Sequence, residues 1–118
     1  MSLKAKILAA KDRVIEKVEV PEWEATVNIA AITGNERDEF EAWCVRGQES
    51  KSPDRARGTR AKLVAMSLVD DDGSRVFSDE EIDALGGKSA HVLDRLFDVA
   101  LRVSGLPGAK AVEDAKKN

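Results

Sequence analysis

The stretch Lys62–Phe77, KLVAMSLVDDDGSRVF, sets an apolar run of eight residues against three consecutive aspartates and a glycine. So short a run, nearly apolar on both faces, reads as a strand covered on both sides. Asp-Gly between two apolar segments is a hairpin signal, because glycine supplies the positive φ that such turns need. The expectation is a strand over 62–69, an acidic turn, and a short returning strand in SRVF. The rival reading is a calcium loop. An EF-hand places oxygen ligands at positions 1, 3, 5 and 12 around a glycine at position 6. With Gly73 in the glycine position, Asp70 and Asp72 fit two of these. Leu68 then stands at the first, and Asp79, one methylene short of the required glutamate, at the last. The motif also needs a helix where this sequence reads as strand. The calcium reading fails.

Upstream, RVIEKVEV alternates Val14, Val18 and Val20 with charged neighbours, and ATVNIAAI alternates Val27, Ile29 and Ala31. With PEWE between them, these segments predict an antiparallel hairpin. Thr33 and Glu36 have capping-box spacing, and Phe40, Trp43 and Cys44 follow at helical spacing, so a helix is expected up to about Gly47. Residues 47–59, aperiodic and rich in Ser, Gly and charge, are expected to form a polar linker. Its basic half, DRARGTRAK, is too mixed with acids for a phosphate-contacting arm. Downstream, Ser78 and Glu81 repeat the capping box and open a short helix through Leu85. Ser89 is expected to cap the longest helix, 89–104, with Gly105 at its end and Pro107 as its stop. Residues 107–118 form an expected weakly ordered tail. The fold class is therefore α+β over residues 1–106: a mostly antiparallel sheet from two hairpins, packed with about three helices, the longest of them central.

Composition narrows the function. The 118 residues are 42% hydrophobic and 35% charged, enough for one modest core, and 4% aromatics with no Tyr make that core aliphatic. A net charge of -3 with dispersed Lys and Arg argues against nucleic acid as a partner. The single Cys44 cannot form an internal disulfide, and ILAA near the N-terminus is too short for a signal peptide or a membrane span. A cytosolic protein with no membrane partner is expected. His91 stands beside Asp94 and Arg95 with no nucleophile, and Cys44 has no local base. Asp79, Glu80, Glu81 and Asp83 suit a helix N-terminus, where negative charge is stabilising. No catalytic residue, metal ligand or cofactor site is assigned, and an enzyme is not expected.

The 89–104 helix carries more apolar surface than one core needs. At 100° per residue, His91, Asp94, Arg95, Asp98 and Arg102 share an arc of about 100°, leaving roughly 200° apolar where about 100° would serve. Either the sheet and other helices wrap this helix, or another chain covers a flank. Val92, Val99 and Val103 on one flank, with Phe97 and Leu101 on the other, are the candidate protein-interface residues.

Four stretches in order, VEVPEWEATVNI, TGNERDEFE, AKLVAMSLVDDDGSRVFSDEEIDAL and KSAHVLDRLFDVALRVSGL, carry a resemblance. Over about residues 12–106 the chain resembles the small tail assembly chaperones of long-tailed bacteriophages and prophages. The resemblance implies a non-enzymatic protein of the host cytoplasm that binds the tape measure protein, keeps it soluble and helps recruit tail tube subunits. It also implies self-association, no cofactor, and absence from the finished virion. The alternative is a structural tail or head–tail component that stays in the particle. Such families often make a longer frameshifted product, and Lys116-Lys117-Asn118 is compatible with a slippery codon heptamer. No partner-binding residue carries over from the resemblance.

Overall fold

The computed structural model describes residues 2–49 and 58–106. Its elements run α1 (Leu3–Ala9), β1 (Ile15–Val20), β2 (Ala25–Ala30), α2 (Gly34–Glu49), α3 (Thr59–Ser67), β3 (Leu68–Val69), α4 (Ile82–Gly86) and α5 (Ala90–Val103). The three strands form one antiparallel sheet in the order β1-β2-β3, so the chain is α+β. The first hairpin has the expected register, with Val18 opposite Val27 and Glu16 opposite Ile29. Pro21, whose ring fixes a turn-compatible φ, opens the 3-10 turn Pro21–Trp23 between the two strands.

The second apolar segment differs from its expectation. KLVAMSLV is not a strand: Thr59–Ser67 is helix α3, and only Leu68 and Val69 pair with β2, opposite Ile29 and Asn28. An eight-residue apolar run has no period, so it fits a buried strand and a buried helix equally well. Here Ala, Leu, Met and Lys are strong helix formers, and Val64 is the one β-branched residue in the interior of α3. Every residue from Ala61 to Val69 is buried. That burial makes α3, and not the 89–104 helix, the centre of the domain. It is covered by α5, α4, α2 and β2. Around it Val20, Ile29, Phe40, Leu85, Val92, Leu93 and Leu96 complete one aliphatic core.

Local signals place the surrounding helices. Thr33 and Glu36 form the capping box: the Thr33 N–H donates to Glu36 Oε1 at 2.8 Å and the Glu36 N–H to Thr33 Oγ1 at 3.2 Å. Helix α2 then runs through Glu49, past the expected end at Gly47, and its 16 residues exceed the 14 of α5. The Ser78 N–H donates to Glu81 Oε1 at 3.0 Å, opening a 3-10 turn that leads into α4. Ser89 precedes α5 but makes no side-chain cap bond, contrary to expectation. The C-terminal end of α5 matches its sequence signal. Gly105 adopts φ +67, its N–H donates to the Arg102 carbonyl at 3.2 Å, and the Leu106 N–H donates to the Leu101 carbonyl at 3.0 Å. These are the two bonds of a Schellman motif. Beside them the Ile32 N–H donates to Ser104 Oγ at 3.1 Å, tying the β2–α2 connection to the same helix end. Residues 50–57 of the expected linker and the expected tail 107–118 lie outside the described residues.

One charge enters this core. Lys62 is 3% exposed on α3, and its stem lies among apolar neighbours. Its ammonium donates to Glu39 of α2 at 2.9 Å, lies 3.5 Å from Asp79, and sits 5.2 Å from the Trp43 ring centroid. Both carboxylates are half exposed and can be resolvated, whereas the ammonium cannot. Lys62→Met should therefore change stability by less than about 1.5 kcal/mol. The double variant Glu39→Gln/Asp79→Asn, which leaves a buried cation alone, should lose roughly 3 kcal/mol. Urea unfolding of both variants checks the asymmetry.

Candidate functional site

The acidic stretch is a turn with its carboxylates engaged. The Gly73 N–H donates to the Asp70 carbonyl at 2.9 Å and the Asp70 N–H to the Ser74 carbonyl at 2.8 Å, with Gly73 at φ +88. Asp72 accepts from the Ser74 N–H at 2.9 Å and from its hydroxyl, which holds the Asp72 carboxyl below its ordinary value. Asn28 Nδ2 donates to Asp71 at 2.9 Å, anchoring the turn to β2. The returning strand is reduced to a single bridge, Arg75 opposite Val69. Arg75 instead reaches the Ala65 carbonyl at 3.1 Å and Asp79 at 2.9 Å, and its guanidinium keeps the Asp79 carboxyl ionised. Among the described residues no group of three or more His, Cys, Asp or Glu side chains is arranged to hold a metal. Cys44 is half buried in α2, and burial together with Glu41 pushes its thiol pKa up, away from nucleophilic character.

The polar arc of α5 is a set of fasteners as well as a solvated face. Arg95 donates to both carboxylate oxygens of Glu22, at 3.0 and 2.7 Å, and Arg102 does the same to Glu16, at 3.1 and 2.5 Å. Such paired donation is the strongest geometry available to an arginine. Two turns apart on one helix face, the two arginines clamp α5 to the β1–β2 hairpin. Asp94 receives Arg60 from α3. The apolar arc opposite is largely consumed inside the chain. Val92 and Leu101 are buried at 1% and 5% exposure, while Phe97, Val99 and Val103 are half buried along the edge of the core. The five candidate residues thus divide into two core residues and a three-residue rim.

A larger apolar surface lies where the sequence reading had placed nothing. No residue of α1 is buried, and Leu3, Ile7 and Leu8 are 72%, 61% and 75% exposed. Val14 and Ile15 continue the surface toward the edge strand β1, and Val45 and Val76 are exposed elsewhere. The signal was present as Leu3 and Ile7 one helical turn apart, in a segment weighed only as a membrane span. Val76 lies in an open groove lined by residues Arg75 to Glu81, with half-buried Phe77 beside it. No helix among the described residues is long and apolar enough to cross a membrane. The geometry is that of a surface for protein contact, without catalytic machinery.

The family described as phage tail assembly chaperone matches residues 2–118. The chain belongs to that family. Among solved structures, it is similar to the tail assembly chaperone of bacteriophage HK97, with a TM-score of 0.64 and 27% identity over 86% of this chain and 98% of that one. No curated protein matches the chain. For this tail assembly chaperone the family role is non-enzymatic, in keeping with a site made of apolar rims and ion-pair clamps.

The clamps make the chaperone acid-sensitive in a defined direction. Arg95 holds the Glu22 carboxyl down to about 2, and Arg102 holds that of Glu16 below its ordinary 4.5. A lowered folded-state pKa contributes stability above the unfolded value, and that contribution disappears as pH falls through the folded value. The parent should therefore melt above Glu22→Gln at pH 7, and the gap should close between about pH 5 and about 2. Thermal melts of the two proteins across that range read the difference.

Proposed function

We propose that this tail assembly chaperone binds the tape measure protein in the host cytoplasm, keeps it soluble, helps recruit tail tube subunits, and leaves before the virion is complete. Self-association accompanies that role. The observation that carries the reading is the rim of Phe97, Val99 and Val103, half buried on a helix clamped rigidly to the hairpin. A firm apolar edge surrounded by charge suits transient cover of an apolar helical partner, while the charge keeps the complex in solution.

Co-expression with the tape measure protein of the same phage tests this. The parent should carry the tape measure protein into the soluble fraction and co-purify with it. Phe97→Asp and Val103→Asp, checked for an intact fold by near-UV circular dichroism, should return it to the pellet. If it stays soluble with both folded variants, the rim is not the binding surface. Purified virions should lack the chaperone. Many copies per particle would favour a retained structural component instead.

A further inference from the structure

Helix α1 has no cover in its own chain. Isolated helices shorter than ~12–15 residues are marginal in water, and α1 has 7 residues, none of them buried. Its apolar face, Leu3 and Ile7 with Leu8 alongside, therefore needs a surface to rest on. The distribution of charge says which surface. Residues 1–13 hold Lys4, Lys6, Lys11 and Arg13 against Asp12, a net +3. Residues 70–83 hold seven acids against Arg75, a net -6. Since the whole chain carries -3, everything outside these two segments is neutral in sum. The acidic segment contains the groove at Arg75–Glu81, floored by Phe77 and by Val76 at 41% exposure, with Glu80 and Asp83 exposed at its margin.

Basic helix and acidic groove do not meet within one chain. Helix α1 leads into β1 at one edge of the sheet, whereas the groove follows β3 at the other, and no α1 residue lines it. We propose that α1 of one copy docks in the Arg75–Glu81 groove of a second copy, with Leu3, Ile7 and Leu8 against Val76 and Phe77 and its lysines facing Glu80 and Asp83. Because the two surfaces are different parts of the molecule, the contact is heterologous. It repeats from copy to copy and does not close as a two-fold pair. This goes beyond the self-association included in the functional reading by naming both halves of the joint. It uses no residue of the α5 rim, so tape measure binding and copy-to-copy docking fail separately.

Sedimentation velocity of the full chain over a concentration series gives the test. The parent should grow past a dimer at low salt and dissociate as salt rises, since the screening length shrinks from about 10 Å at 0.1 M to about 3 Å at 1 M. Two charge-reversed variants, Lys4→Glu/Lys6→Glu and Glu80→Lys/Asp83→Lys, alter only exposed side chains and should melt as the parent does. Each alone should associate about tenfold more weakly or worse. An equimolar mixture of the two should recover assembly, because each reversed helix then meets an opposite groove. A parent that stays monomeric at every concentration overturns the proposal, as do single variants that assemble like the parent. Binding of the parent to phosphatidylglycerol vesicles, lost in the lysine variant and unaccompanied by assembly, also overturns it and makes the cover of α1 a membrane surface.

Discussion

Helix α3 has no solvent-facing side. From Ala61 to Val69 every residue is buried, so each neighbouring element is placed by the part of that segment it must cover. Its flanks are shared among α5, α4, α2 and β2, and its last turn passes directly into β3, which locks the helix to the sheet by pairing with β2. A core organised around one small helix suits a chain poor in aromatics, because Ala, Val, Leu and Met at its centre let five elements approach closely. The lone ammonium of Lys62 leaves this interior at the seam between α2 and the segment ahead of α4. Buried on its stem and paired at its tip, it fixes how those two elements lie relative to the core.

Charge performs a second task at the opposite face. Arg95 and Arg102 hold α5 to the hairpin through two-oxygen contacts with Glu22 and Glu16, which restricts how α5 can slide or rotate on the sheet. Much of this chain's formal charge is thereby spoken for within the fold. What remains is separated: basic at the N-terminal helix, acidic at the turn and groove after β3. A protein that must stay dispersed while exposing apolar side chains needs charge close to those side chains, and both exposed surfaces have it.

Legibility in the sequence followed the presence of a period or a specific local bond. The β1–β2 hairpin, the Thr33–Glu36 and Ser78–Glu81 caps, the acidic turn and the Gly105 helix end each rest on contacts spanning a few residues, and the residue types name them. KLVAMSLV was illegible because uniform burial erases periodicity, leaving helix and strand indistinguishable. Ser89 has the right identity for a cap, yet its side chain accepts no bond from the helix it precedes. On α5 the width of the apolar arc was readable, but not which chain covers each part. Val92 and Leu101 went to the internal core because α3, whose helical form was hidden, turned out to be their neighbour. The apolar face of α1 escaped for a different reason: seven residues carry too few turns to stand out as amphipathic.

The Schellman ending of α5 also determines direction. With Gly105 in the left-handed region and Ser104 holding the Ile32 amide, the chain leaves the helix at a set angle beside the start of α2. Anything translated after Leu106, whether a purification tag, a fused partner or a longer reading frame, sets out from that one corner of the molecule. The corner adjoins the end of α5 that carries Val103, so an appended segment begins its path next to the apolar rim rather than beside the acidic groove. Only a residue without a side chain holds this heading comfortably, and position 105 therefore acts as the signpost for whatever is joined there.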